Sequence, residues 1–215
     1  RERRELTDLY AVWAHQVQTA IAALRLLVQS PSPSPAEMDA ELLRIEQYVE
    51  MALGCARMAG DTTDFVIAAQ PLDPILRGCL KAFSRLFILK HLALAYAGTS
   101  AVVLTDAKWL TFAVNQVLSN ALKYTNAGGI EVRADANRIQ IRDTGVGIRP
   151  EDLPRVFERS FTGANGRADV RATGLGLYLA RRALGNLGHD IHIESVLGEG
   201  TTVTIGLSRP DYLHE

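Results

Sequence analysis

NALKYTNAGGIEVRADANRIQIRDTGVGI, residues 120–148, runs from a helix end through two strands into a glycine turn, and its reading decides the fold. Upstream of it Trp109, Ala113, Gln116 or Val117, and Asn120 recur with helical period, so Asp106 to Tyr124 reads as a helix. Gly128-Gly129 then starts GIEVRA, a strand by its alternation. Asp135-Ala136-Asn137 turns the chain into RIQIRD, which makes a two-stranded antiparallel pair. That second strand ends on Asp143, with Gly145 and Gly147 just beyond.

Outward from this stretch the mixture of helix and strand continues. FVIAAQ (65–70), HLALAY (91–96) and AVVLT (101–105) read as strands, and Pro74 to Lys90 as an amphipathic helix. Gly174 to Leu187 reads as another helix. HDIHIESV (189–196) and TTVTIGL (201–207) form a closing hairpin around Gly198-Glu199-Gly200. Residues 160–173, SFTGANGRADVRAT, are polar, rich in Gly and Ala and without period, which predicts a mobile loop. Strands that pair mostly with sequence neighbours, under long helices on one face, predict an α+β sandwich over 64–215.

The first sixty residues show no strand alternation. Leu6, Tyr10, Trp13, Val17, Ala20, Leu24 and Leu27 step by 4 and 3, a heptad seam. Pro31, Pro33 and Pro35 forbid continuation of that helix. A second seam follows at Met38, Leu42, Ile45, Val49, Ala52, Ala56 and Ala59, with Ser34 as its expected N-cap. The prediction is an all-α helical hairpin over 1–60, followed by a linker at Gly60-Asp61-Thr62-Thr63. One hairpin leaves half of each apolar stripe in water, and pairing two copies closes a four-helix bundle. A homodimer is therefore expected.

Composition narrows the function classes. The 215 residues carry 23 basic and 24 acidic side chains and are 47% hydrophobic, a balance of folded globular chains and not of disordered ones. A net charge of -1 speaks against nucleic-acid binding by bulk electrostatics. No apolar run approaches the ~20 residues that span a bilayer. Cys55 and Cys79 lack metal or redox spacing and read as reduced core thiols.

The chemistry gathers in four segments of 64–215: NQVLSNALKYT (115–125), DTGVGI (143–148), VFERSF (156–161) and TGLGLYLAR (173–181). The Asn120 amide oxygen suits a hard cation such as Mg²⁺. Lys123, one turn on, offers a point positive charge to phosphate. The Asp143 carboxylate can accept from an exocyclic amine. Gly145 and Gly147 permit close approach to the backbone. Gly174 and Gly176 precede a helix whose N-terminus presents free N–H groups to phosphates, and the loop before them is suited to act as a lid.

Together, in this order, these segments resemble the N, G1, F and G2 boxes of the ATP-binding domain of sensor histidine kinases. The resemblance implies an ATP·Mg²⁺ site. In it Asn120 is the metal ligand, with Gln116 at the position of a second amide; Lys123 and Tyr124 face the nucleotide. Asp143 binds the adenine amine, Gly145, Gly147, Gly174 and Gly176 shape the pocket, and Thr201 matches the family's threonine near the base. The family often has a basic residue where Thr162 stands, so Arg167 or Arg171 of the lid is expected to substitute.

WAHQVQTAIAALRLL (13–27) resembles the phosphoacceptor box of the same family. His15 lies about 200° around the helix from Trp13 and from Val17, so it faces outward, and Thr19 follows one turn later. Gln16 stands where most families have Glu or Asp, Gln18 replaces the usual Lys and Ala20 the usual Pro. An amide takes no proton from imidazole. The chain looks most like the bacitracin-sensor type of intramembrane-sensing kinase. The resemblance implies a protein-histidine kinase that autophosphorylates His15 and passes the phosphoryl group to a response regulator. Gln16 and Thr19 would assist, Thr19 in the reverse phosphatase reaction. It also implies a cytoplasmic portion of a bacterial inner-membrane protein and a transporter as its companion. The alternative is a nucleotide-binding sensor whose altered box transfers little or no phosphate.

Overall fold

The computed structural model describes residues 2–59, 65–163 and 174–207. The chain divides into two compact units, Arg1–Thr63 and Asp64–Glu215. The expected linker at 60–63 lies outside the described residues.

The first unit is a hairpin of α1 (Glu2–Gln29) and α2 (Pro35–Ala59), packed along each other. Pro35 opens α2, where its missing N–H is no loss, and the Ser34 hydroxyl accepts from the Glu37 N–H at 3.3 Å. Trp13, Gln16 and Ala20 are buried on α1, and Ala40, Glu41, Met51 and Cys55 on α2. This corrects the expected seam of α2. Leu42 and Val49 of that seam are each 45% exposed, because the line through Met51 and Cys55 is the one turned inward. Two apolar lines share this helix, and a single hairpin has room for one. Glu41 is compensated by an ion pair to Arg44 one turn on.

The second unit is an α+β sandwich. Its five-stranded sheet is built from β2 (Ala93–Tyr96), β4 (Gly129–Ala134), β5 (Arg138–Asp143), β6 (Asp190–Val196) and β7 (Gly200–Gly206), in the order β2-β4-β5-β7-β6. β4–β5 and β6–β7 are antiparallel neighbours in sequence, as their turns predict. β2 instead pairs with β4 in parallel. The intervening β3 (Val102–Thr105) leaves the sheet to join β1 (Ala68–Pro71) in a separate antiparallel ribbon, and α5 (Ala107–Tyr124) crosses back. Buried His189 Nε2 and Thr105 Oγ1, 3.0 Å apart, tie that ribbon to the start of β6.

The expected helix 74–90 is two helices, α3 (Leu72–Ala82) and α4 (Ser84–Leu89). They break at buried Phe83, where the Ser84 hydroxyl donates to the Lys81 carbonyl at 2.8 Å. The last helix, α6 (Gly176–Asn186), starts two residues later than expected. α3 and α6 pack on α5, α5 on β5 and α6 on β6. The inward face of the sheet meets them with Ile130, Val132, Ile139, Ile141, Val203 and Ile205, all buried. Cys55 and Cys79 are buried thiols outside any disulfide, and burial pushes the Cys79 thiol up to about 12. Among the described residues no helix is long and apolar enough to cross a membrane.

Candidate functional site

The inward face of the sheet is apolar except for one row at its end. Along β5 the alternation of Ile139, Ile141 and Asp143 carries the carboxylate to the core side. Register then sets Asp143 opposite Thr201 of β7, and Thr201 opposite Ser195 of β6. A row of Val132, Ile141, Val203 and Ile193 is thus followed by Ile130, Asp143, Thr201 and Ser195. Three polar side chains stand side by side where the apolar pattern would put three more aliphatics.

Those three are organised by hydrogen bonds. Asp143 is only 6% exposed, and its Oδ1 accepts from the N–H of Gly145 at 2.8 Å and of Thr201 at 3.2 Å. Burial raises the Asp143 pKa from its ordinary value, and the two backbone bonds oppose that shift. The Ser195 hydroxyl donates to Gly200 O at 2.8 Å, accepts from Ile148 N–H at 2.8 Å and lies 2.9 Å from Thr201 Oγ1. Sequence reading missed Ser195. Its signal was the inward alternation Ile191, Ile193, Ser195 in HDIHIESV.

The glycine turn after Asp143 is clamped between α5 and the β6–β7 hairpin. Val146 N–H donates to Tyr124 O at 3.1 Å, and Val146 O accepts from Gly198 N–H at 2.8 Å. Gly147 has φ +69, and a Cβ there would stand 2.1 Å from Val196 O. The close approach at this glycine is to the protein's own backbone. Gly147→Ala is therefore expected to cost about 2 kcal/mol of stability or more, from left-handed strain plus the clash. Urea unfolding measures it; a loss below about 0.5 kcal/mol would show that the turn relaxes freely.

The remaining sequence-selected residues fall around this turn. Asn120, Lys123 and Tyr124 are half-buried on the last turn of α5, with Lys123 Nζ 5.2 Å from the Tyr124 ring centroid. A Cβ on Gly145 would meet Tyr124 O at 2.5 Å and Asp143 Oδ1 at 2.8 Å, so helix end and carboxylate converge there. The buried Gln116 amide oxygen faces Gly176, the first residue of α6, at 2.8 Å from where a Cβ would stand. Gly174 lies against the backbone of Ser160 and Phe161, which joins the third segment to the fourth. Phe161 and Phe157 are in turn capped by Arg155 and Arg181, at 4.5 and 5.1 Å. Arg167, Arg171 and most of the expected lid lie outside the described residues.

The arrangement offers a buried, rigidly held acceptor at the end of the sheet, with amide oxygens and a cation on the adjoining helix turn. Among the described residues no group of three or more His, Cys, Asp or Glu side chains could hold a metal ion. The amide oxygens of Asn120 and Gln116 still fit Mg²⁺, which keeps water and substrate phosphate ligands and needs only one or two from protein.

In the first unit His15 and Thr19 are exposed on α1, and the Thr19 hydroxyl donates to the His15 main-chain carbonyl at 2.9 Å. Gln16 is turned the other way. It is buried in the hairpin, where its Oε1 accepts from the Tyr48 hydroxyl of α2 at 3.3 Å.

Residues 105–211 match the family described as histidine kinase-, DNA gyrase B-, and HSP90-like ATPases. Over 204 residues the chain is 32% identical to the sensor protein BceS of Bacillus subtilis (strain 168), covering 92% of this chain and 61% of that one. It is 34% identical over 202 residues to the sensor histidine kinase YxdK of the same organism, covering 89% and 61%. The chain thus spans about three-fifths of the length of these curated relatives. Among solved structures, full-length ShkA in complex with AMPPNP superposes with a TM-score of 0.62 at 22% identity, over 95% of this chain and 45% of that one.

Proposed function

This chain belongs to the sensor histidine kinases, as a catalytic core of the bacitracin-sensor type, and from that premise we propose that its second unit binds ATP with Mg²⁺ and delivers the γ-phosphoryl group to His15. The observation that carries this reading is the polar row Asp143–Thr201–Ser195 at the end of an otherwise apolar sheet face. A carboxylate whose Oδ1 is held by two backbone N–H groups is fixed in place, and its Oδ2 is suited to accept from a base amine.

The roles of the chain's own residues follow. Asp143 accepts the adenine amine through Oδ2, since both backbone donors bond Oδ1. Thr201, steadied by Ser195, borders the base. Asn120 and Gln116 would hold the cation, which would supply charge neutralisation on the phosphates. Lys123, the N-terminus of α6 at Gly176, just after Gly174, and Arg167 or Arg171 meet the phosphates; Tyr124 lines the nucleotide. A ring nitrogen of His15 attacks the γ-phosphorus, the bond to the β–γ bridging oxygen breaks, ADP departs and the imidazole proton passes to solvent. Catalysis is positioning and charge neutralisation. Gln16 takes no proton, and its bond to Tyr48 gives it the work of holding α1 against α2, with His15 outward.

Residues 1–60 form the dimerisation and phosphoacceptor hairpin, with Leu42 and Val49 covered by a second copy, and 64–215 the ATP-binding domain. A response regulator receives the phosphoryl group, and Thr19 serves its dephosphorylation. In the full-length protein a membrane sensor precedes this core, in company with a transporter. Incubation of the 215-residue chain with γ-labelled ATP and Mg²⁺ is expected to give an acid-labile, alkali-stable phosphoprotein, which chelation of Mg²⁺ prevents. Nucleotide binding without label would leave the non-transferring sensor as the function.

A further inference from the structure

Lys90 is half-buried at the end of α4, and its ammonium donates to two main-chain carbonyls 32 and 35 residues away, Leu122 O and Thr125 O, the latter at 2.6 Å. Both belong to the end of α5. That helix stops at Tyr124, with Thr125 extended at φ -101, so its last carbonyls lack the amides of a further turn. Lys90 supplies the missing donors, and its charge suits the negative end of the helix dipole.

The lysine is itself held. His91 adopts φ +52, its N–H donates to Ile88 O at 3.1 Å, and Leu92 N–H donates to Phe87 O at 3.0 Å. Phe87 and Leu92 are both buried. This is the paired closure that ends a helix in a left-handed residue, and it aims Lys90 away from its own helix.

Between the two bonded carbonyls lie Lys123 and Tyr124, and Asn120 precedes them on the same turn. From the other side, Val146 N–H bonds Tyr124 O. We propose that Lys90 is a positioning residue of the nucleotide site: it locks the end of α5 so that Asn120, Lys123 and the glycine turn after Asp143 stand in one fixed relation. This rests on the nucleotide-binding reading above. Nothing in the four sequence segments points to Lys90, because it acts on backbone from a distant helix.

The test compares Lys90→Met and Lys90→Arg with the parent 215-residue chain. Affinity for ATP·Mg²⁺ is measured by calorimetry well below each melting temperature, alongside amide exchange of residues 121–126. Lys90→Met is expected to bind about tenfold more weakly, the scale of a lost charge-assisted hydrogen bond, and to exchange faster at the α5 end. Lys90→Arg, which keeps charge and two donors, is expected to recover most of the affinity. Should Lys90→Met fail to fold, Lys90→Gln, with one donor pair and no charge, takes its place. Unchanged affinity in the folded neutral variant, or an Arg variant as weak as the Met one, overturns the proposal. A parent chain that binds no ATP would instead overturn the nucleotide site itself.

Discussion

Replacing His15 by alanine is expected to abolish formation of acid-labile phosphoprotein while leaving the affinity for ATP unchanged. The imidazole is exposed on α1, available to an incoming phosphoryl group, and alanine has no nucleophile to put in its place. Every residue assigned to the nucleotide lies in Asp64–Glu215, which is compact without the hairpin. The two readouts therefore separate. Labelled ATP follows the phosphoprotein, and calorimetry follows the binding. Acid-labile label on His15→Ala would place the phosphoacceptor elsewhere, and a large loss of ATP affinity would mean that the hairpin completes the nucleotide pocket.

Asp143→Asn is expected to lower ATP affinity by about 10²-fold or more while making the nucleotide-free protein more stable at pH 7. Asparagine preserves the shape, and its oxygen can keep the bonds to Gly145 and Thr201. Its NH₂ then meets the adenine amine donor to donor, a mismatch of the size of a lost charged hydrogen bond plus an unpaired polar group. The stability gain follows from burial, the main cause that raises the Asp143 pKa. A carboxyl whose pKa is raised in the folded state contributes stability below its unfolded pKa and loses it as pH rises through the folded value. At neutral pH the parent protein bears the cost of an ionised, buried carboxylate, and the Asn variant does not. The gap should narrow as pH falls into the carboxylate range. Thermal unfolding across pH without nucleotide measures it. An Asn variant less stable at pH 7, or a gap that widens on acidification, would contradict this account.

Much of this was legible in local pattern. The helix from 107 to 124, the hairpin of β4 and β5 and the closing hairpin of β6 and β7 each lie within one or two residues of their sequence reading. Period-2 alternation sent Asp143 inward with Ile139 and Ile141, and would have sent Ser195 inward with Ile191 and Ile193 had it been followed to the strand end. The break at Phe83 was not legible, since Leu72 to Leu89 keeps one apolar period across it.

What the sequence by itself determined were most of the elements, their periodicity and the order of the four site segments, because periodicity and turn chemistry are properties of a few consecutive residues. What only the tertiary structure decided was who stands across from whom. α2 carries two apolar lines of similar quality, and packing against α1 chose the one through Met51 and Cys55 and left Leu42 and Val49 outside. Gln16, one residue from an exposed histidine, was drawn into the hairpin by a tyrosine 32 residues away. Lys90 meets the end of α5 from 35 residues away, in a fold where β2 pairs with β4. Each of these depends on register between segments far apart in the chain, and register is set by the summed packing of whole elements, which no window of sequence contains.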